Sequence, residues 1–279
     1  MKYIQHLWRF VMAIAARVSD GAFGLIAAGV AFYAMFAVFP GLAALVAIWG
    51  LMADPTVIQG YLQVAERFLP PSAGQLVHAQ VMGLLNAQTT TLGWTTFVSV
   101  MIALYSARAG VSALIQGLDV VHRARPRGWI WGYAVDFILT MALIGALMMA
   151  LATAVVVPIL LSYFPSGTFS AWLTKVLPFG LMFLSVLTCL SILYRFGPNV
   201  PGGFKSGWIT VGVLFAALAW AGVSIGFSTY LANFNSYNRI YGSIGAVIIL
   251  MMWLYLSVWA ILVGGAINAE LDQRTRLKR

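Results

Sequence analysis

The sequence predicts an all-α integral membrane protein with six transmembrane helices, and three observations lead to this fold class. First, 62% of the 279 residues are hydrophobic and only 8% are charged, whereas about a quarter of the residues in a soluble domain are charged. Second, six runs lack any formally charged residue: 21–53, 68–107, 137–174, 176–194, 206–238 and 240–269. Crossing a bilayer core takes roughly 20 helical residues, so each run is long enough. Third, the apolar stretches are continuous, unlike the alternating strands of a transmembrane barrel.

The first element, residues 1–19, is predicted to be an amphipathic helix. Its apolar face consists of Ile4, Leu7, Trp8, Val11, Met12, Ala15 and Val18, and Lys2, Gln5 and Arg9 lie on the opposite face. A helix of this kind lies in the headgroup layer instead of crossing the membrane. The apolar run that follows is too long for a cleavable signal peptide. We therefore expect this segment to stay on the cytoplasmic surface.

The first predicted span covers about 22–51, and the long connection 52–91 follows it. The span carries Gly24, Ala27, Ala28 and Ala31 at helical spacing, which allows a neighbouring helix to approach closely. The connection contains two short helical patterns separated by Pro70 and Pro71. We expect an extracytoplasmic helical hairpin here, which either covers the bundle as a lid or packs on its surface without a function.

Five further spans are predicted at about 92–118, 134–161, 176–195, 207–232 and 241–268. Several tryptophans lie near their ends, as is typical of the membrane–water interface: Trp94, Trp129, Trp131, Trp172 and Trp208. A basic tail, 269–279, completes a single membrane domain of residues 1–279.

The net charge of +9 is explained by topology. With the N-terminus assigned to the cytoplasm, 12 Lys and Arg residues fall on the cytoplasmic side, and only Arg67, Lys175 and Arg239 fall on the other. This asymmetry follows the positive-inside rule and predicts that both termini are cytoplasmic. The charge therefore does not call for a nucleic-acid partner.

Charged residues near the cytoplasmic boundary are the main functional candidates. Arg108 lies sixteen residues past Leu92, about 24 Å along a helix, which places it in the inner leaflet. Charges within a membrane tend to face the bundle interior and pair, so we expect a cluster that forms either a polar path or a staple between helices. Its candidate members are Arg108, Arg195, Asp20, Asp119, Asp136 and Glu270. The alternative is separate helix-end charges in the headgroup layer, with Arg108 snorkelling towards it.

A second polar feature precedes the last span on the opposite side. Asparagine is costly in hydrocarbon, so this segment is either a turn at the outer interface or a re-entrant segment that faces a cavity. The candidate residues of this outer polar turn are Asn233, Asn235, Asn238 and Tyr241. Two pairs of glycines, Gly222 with Gly226 and Gly242 with Gly245, are predicted to serve helix packing.

The motifs argue against an enzyme. The three histidines, His6, His78 and His122, fall in three different parts of the predicted topology and cannot converge on one metal or one proton-transfer pair. The spacing patterns of zinc proteases, nucleophile elbows and phosphate-binding loops are absent. A single cysteine, Cys189, cannot form an internal disulfide. We therefore predict no catalytic residue, no metal and no cofactor.

Four stretches between about residues 18 and 272 resemble one known family. They are AAGVAFYAMFAVFP, YSARAGVSALIQGLDVVH, YRFGPNVPGGFKSGWITVGVLFAALAW and FNSYNRIYGSIGAVIILMMWLYLSVWAILVGGAINAEL. Through them the chain resembles the YihY/BrkB family of bacterial inner-membrane proteins, long mislabelled ribonuclease BN. The resemblance implies six spans and an inner-membrane location, and it brings no secure molecular activity. Members are regarded as transporters or envelope factors, some of them linked to lipid export or serum resistance.

The leading functional hypothesis is transport of an unidentified solute or lipid, with membrane lipids as partners and an oligomer compatible with the sequence. The polar path would use Arg108 and the inner acids. The second hypothesis is a structural, envelope-assembly or virulence-associated membrane protein in which the same charges join helices. A membrane-anchored ribonuclease is the least favoured hypothesis.

Overall fold

Seven long helices make up most of what the structure describes. The structure, a computed structural model, describes residues 2–20, 22–50, 62, 74–75, 77–79, 81–82, 92–125, 127–162, 168–200, 207–233 and 237–277. The helices are α1 (Lys2–Asp20), α2 (Phe23–Gly50), α3 (Leu92–His122), α4 (Trp129–Ser162), α5 (Thr168–Phe196), α6 (Val211–Asn233) and α7 (Tyr237–Leu277).

Several helices are longer than predicted, and α3 shows a local reason. Arg123 follows α3 in the left-handed conformation, with φ of 50°. The N–H of Ala124 donates to the carbonyl of Asp119 at 2.8 Å, and the N–H of Arg123 donates to that of Val120 at 3.1 Å. This is the Schellman arrangement, which satisfies carbonyls at the end of a helix. The chain therefore continues as helix to His122 before it turns.

Helix α7 is at the centre of the packing. It contacts α1, α2, α3 and α6, while α2 packs most extensively on α3, and α4 packs on α5. The half of α7 towards its C-terminus is buried in one large apolar core. Fully buried members of this core include Phe23, Ala27, Leu118, Val213, Ala216, Leu262 and Ala266. Because small residues are frequent among them, the helix backbones approach closely.

Hydrogen bonds at one end of the bundle show that successive helices run in alternating directions. At this end Arg127 Nη1, just before α4, donates to Gly197 O, just after α5, at 2.6 Å. The backbone N–H of Gly212 in α6 donates to Asn268 Oδ1 in α7 at 2.9 Å. The C-terminal ends of α3, α5 and α7 thus meet the N-terminal ends of α4 and α6. We call it the basic end, because it carries Arg17, Arg123, Arg125, Arg127, Arg195 and Arg274.

Among the described residues, four helical segments are long and apolar enough to cross a membrane: Phe97–His122, Trp129–Met149, Val211–Tyr230 and Val247–Thr275. A fifth arises if Trp8–Ser19 and Phe23–Val38, which are bent by 58° relative to each other, are taken as one span. The described apolar part of α5, Gly180–Phe196, is shorter. Of the six predicted spans, four thus correspond to membrane-spanning segments among the described residues, or five if the bent pair is one span. The predicted hairpin of 52–91 lies almost wholly outside the described residues.

Large apolar side chains cover the outer surfaces of α3, α4 and α6. Exposed examples are Phe97, Ile102, Ile138, Leu147, Met149, Leu218 and Ile225. A water-soluble monomer rarely exposes contiguous apolar surface on this scale. The surface is therefore suited to lipid, in agreement with the composition of the chain.

Candidate functional site

Glu270 and Arg17 together connect three helices, α1, α3 and α7, at the basic end. Glu270 is 8% exposed, and its Oε2 accepts hydrogen bonds from Arg17 Nη2 at 3.2 Å and Nε at 3.3 Å. Its Oε1 accepts one from Arg274 Nε at 2.8 Å. Arg17 also donates to the carbonyl of Val121 at 2.9 Å and to the side chain of Gln273. The arginine of α1 thus satisfies an end carbonyl of α3 while it pairs with α7, which is favourable for a cation at a helix C-terminus.

The contact between α6 and α7 is backbone to backbone. A Cβ atom on Gly264 would lie 2.6 Å from the carbonyl oxygen of Gly212 and 2.7 Å from the Cβ of Ala216. Asn268, 4% exposed, accepts the N–H of Gly212, and Tyr194 of α5 donates its hydroxyl to the carbonyl of Ile261. Glycine at these positions is therefore required by close approach, and the buried polar groups there are paired.

Arg108 and Asp136 form a looser pair farther along α3 and α4 from the basic end. Arg108 Nη1 lies 3.7 Å from Asp136 Oδ2, and the two side chains are 17% and 12% exposed. The guanidinium carbon lies 4.2 Å from the ring centre of Tyr133 and 5.8 Å from that of Tyr105, within the range of cation–π attraction. Arg108 Nε is buried and has no hydrogen-bond partner among the described atoms. The pair is held electrostatically and retains hydrogen-bonding capacity.

The other members of the predicted cluster make different contacts. Asp119 Oδ1 accepts the backbone N–H of Asn199 at 2.7 Å. The guanidinium of Arg195 stacks over Trp208, 5.0 Å from its ring centre. Asp20 ends α1, but its side chain is outside the described part. Within the predicted set Arg108 and Asp136 form an ion pair, and one cluster of all six residues stays a prediction.

Part of the predicted outer polar turn is helical. Helix α6 ends at Asn233 and α7 begins at Tyr237, so Asn238 and Tyr241 belong to a helix. Asn235 lies outside the described residues, and so do the side chains of the other three candidates. This part of the prediction stays a prediction.

The packing role predicted for Gly222 and Gly226 has no counterpart among the described residues. A Cβ atom at either position would meet nothing within 4 Å among the described atoms, because this face of α6 is turned away from α7. Gly245 is buried, and Gly242 lies in a stretch without described side chains. The glycines that do allow close approach are Gly212, Gly264, Gly265 and Gly117.

The sequence did not predict the contacts of Arg17 and Tyr194. Arg17 contributes to the predicted charge asymmetry, and its position at the end of an amphipathic helix, opposite the acids of the last span, is the sequence signal for its contact with Glu270. The partners of Tyr194 are backbone atoms, for which no sequence signal exists. In the described ranges, no group of three or more His, Cys, Asp or Glu side chains is placed to hold a metal ion.

Comparison with known proteins places this bundle in a family. The family model described as "Virulence factor BrkB" matches residues 14–279. The chain belongs to the BrkB family. The match contains α2 to α7 and the part of α1 that carries Arg17, so the Glu270 contacts and the Arg108–Asp136 pair both lie within it.

Relatives of this BrkB-family chain carry membrane-protein or ribonuclease-like names. The chain is similar to the "Putative ribonuclease-like protein YfkH" of Bacillus subtilis, with 30% identity over 90% of both chains. It is also similar to the "UPF0761 membrane protein VP0125" of Vibrio parahaemolyticus, with 29% identity over 78% of this chain and 66% of the relative. A "UPF0761 membrane protein" of Aeromonas salmonicida is 28% identical over 81% of this chain and 77% of the relative. No solved structure matches the chain.

Together, the apolar helices and the membrane-protein relatives identify a multi-pass membrane protein of the BrkB family.

Proposed function

We propose that this BrkB-family protein is a six-span bacterial inner-membrane protein that transports an unidentified solute or lipid, and that Arg108 and Asp136 belong to its polar path. Both termini and the basic end face the cytoplasm in this proposal. The positive-inside rule supports this orientation, and the alternating directions of α2 to α7 support an even number of crossings. The protein is not an enzyme in this proposal.

The Arg108–Asp136 pair is the observation that carries the proposal. Ionisable groups at membrane depth are costly and usually functional. A guanidinium–carboxylate pair with optimised geometry has N–O distances of about 2.7–2.9 Å, yet this pair is 3.7 Å apart. The unpartnered Nε of Arg108 represents a cost that a purely structural contact would be expected to remove. A polar group of the transported molecule would accept a hydrogen bond from this Nε–H.

A cysteine accessibility experiment tests the path. On a Cys189→Ser background, single cysteines replace Arg108, Asp136 and, as a matched lipid-facing control on α5, Leu184. A membrane-impermeant thiol reagent is expected to modify positions 108 and 136 in folded protein, while Leu184→Cys, exposed only to lipid, stays protected. Equal protection at all three positions from both sides of the membrane would contradict a polar path.

The second candidate function is a structural or envelope-assembly membrane protein, which the contacts of Glu270 favour. There the charges join α1, α3 and α7 and leave little unpaired. Charge reversal separates the two functions. If Arg108→Asp and Asp136→Arg each lower the amount of folded protein and the double variant restores it together with full cellular function, the pair is a staple. Restored folding with lost function supports the polar path.

A further inference from the structure

Helix α3 carries a row of polar side chains, of which the proposed path uses only Arg108. The row consists of Tyr105, Arg108, Ser112, Gln116, Asp119 and Arg123. Successive members are three or four residues apart, so they lie on one face of the helix. From Tyr105 to Arg123 the row is about 27 Å long at 1.5 Å per residue. It thus extends from the depth of Arg108 to the basic end.

The row is partly exposed. Tyr105 is 65% exposed, Gln116 is exposed, and Arg108, Ser112 and Asp119 are half-buried. The opposite face of α3 is packed against α2 and α7, where Ile26 and Leu262 contact the position of Gly117. On α6, by contrast, the exposed positions Leu214, Leu218 and Ile225 are apolar. A polar row on a lipid-facing helix has a cost in hydrocarbon that a polar group of a lipid can offset.

The formal charges of the row and of Asp136 on the neighbouring helix α4 add up to zero. Arg108 is paired loosely with Asp136 of α4, Ser112 and Gln116 are neutral, and Asp119 and Arg123 follow. A lone anion at Arg108 would be repelled by Asp136, and a lone cation at Asp136 would be repelled by Arg108. A zwitterion meets neither penalty, because its phosphate can bind the guanidinium while its ammonium binds the carboxylate.

Neutral polar groups continue this arrangement towards the basic end. Gln116 Nε2 donates to Ser112 Oγ at 3.3 Å, an exposed and long hydrogen bond. An amide and a hydroxyl can each donate and accept, so they can bind both halves of a zwitterionic headgroup in turn. Tyr133 and Tyr105, beside Arg108, provide ring faces for an ammonium group.

We propose that the polar row of α3, with Asp136, is a lateral headgroup groove for an aminophospholipid whose zwitterionic headgroup carries a primary amine. The acyl chains stay in the bilayer while the headgroup moves between the basic end and Arg108. The inference rests on the proposed transport function and names its substrate class. A primary ammonium is required because it donates hydrogen bonds to Asp136, which a trimethylated ammonium cannot do.

Site-specific photocrosslinking tests the groove directly. The photoreactive residue p-benzoylphenylalanine replaces Val120, an exposed residue one turn from Gln116, or Leu184, an equally apolar and exposed control on α5. The full chain is placed in nanodiscs of equal parts phosphatidylethanolamine, phosphatidylcholine and phosphatidylglycerol, and adducts are measured by intact mass. At position 120 the ethanolamine lipid is expected to exceed the choline lipid by about fivefold, the scale of one hydrogen bond. At position 184 the ratio should equal that of the bilayer.

Variants and a flipping assay separate this inference from the proposed function. Ser112→Ala with Gln116→Leu should remove the preference at position 120, while Thr188→Val, an exposed hydroxyl on α5, should leave it unchanged. Equal lipid ratios at positions 120 and 184, or enrichment of phosphatidylglycerol instead, would overturn the groove. Flipping of acyl-labelled phosphatidylethanolamine in proteoliposomes should slow about fivefold in the double variant. A lipid preference without any flipping would retain the groove and reject transport, and flipping that is insensitive to the double variant would reject the groove and retain transport.

Discussion

Glu270 and Asp136 are two buried carboxylates, each 8% exposed, with very different surroundings. Glu270 accepts hydrogen bonds from two arginines on two helices, at 2.8–3.3 Å. Asp136 lies 3.7 Å from one arginine, whose Nε has no described partner. Equal burial therefore does not mean equal roles.

The two carboxylates thus differ in how completely their hydrogen-bonding groups are paired. At the basic end the charges are saturated, so they hold α1, α3 and α7 in one arrangement. At the depth of Arg108 they are held loosely beside exposed tyrosines, so they remain able to exchange partners. Four stability measurements test this difference between the two carboxylates and the contacts around them.

Arg17→Gln should lower the free energy of unfolding by about 3 kcal/mol, because it leaves a buried carboxylate with one cation fewer and removes a bond to the end of α3. Arg9→Gln is the matched control, since Arg9 is an exposed arginine on the same helix, and it should change this free energy by less than about 0.5 kcal/mol. Unfolding of the purified protein by steric trapping in bicelles measures both. Similar effects from the two arginines would remove the distinction between a saturated and a loose site.

Gly264→Ala should cost about 2 kcal/mol, because its Cβ would overlap the carbonyl of Gly212 and the Cβ of Ala216. Gly222→Ala, at an open position, should instead be neutral or stabilising by up to about 1 kcal/mol through helix propensity. The same unfolding measurement compares the two. A large loss at Gly222 would show that its face of α6 is packed in the membrane, against a second copy or another partner.

Asp136→Asn should cost only about 1 kcal/mol, because the pair it breaks has no optimised hydrogen bond. Glu270→Gln is the direct comparison and should cost about 3 kcal/mol. If both variants lower the free energy of unfolding by the same amount, Asp136 is as structural as Glu270, and the Arg108–Asp136 pair is not held more loosely than the contacts of Glu270.

Arg123→Gly should raise the free energy of unfolding by about 0.5–1 kcal/mol, because glycine adopts the left-handed conformation of this position without steric cost. Arg125→Gly removes the same charge nearby, where no left-handed residue is recorded, and should bring no gain. Thermal unfolding in detergent is sensitive enough to rank them. An equal rise in both would attribute the effect to charge instead of backbone conformation.

Much of the architecture was accessible from the sequence. The apolar runs predicted helices at the positions of α2 to α7, and charge placement predicted one basic end. The predicted charge cluster contains Arg108 and Asp136, which the structure brings together. The partner of Glu270 was not predictable in this way, since Arg17 lies 253 residues away and its contact depends on where α1 packs.

The glycines make the same point. Gly222 and Gly226 have the spacing of a packing motif, yet they face open space, while the unpatterned Gly212 and Gly264 make the close contact. Spacing determines that two residues share a face of a helix, but it does not determine which face meets a neighbour.

Composition and the length of the apolar runs are enough to establish that most of this protein is solvated by hydrocarbon and that its segments are helical, because transfer into hydrocarbon depends on these two properties. Which charged side chains have their hydrogen-bonding groups paired, and which do not, depends on the tertiary structure. That outcome depends on the rotation of each helix about its axis and on its depth beside its neighbours, and these are set by packing between residues far apart in the chain.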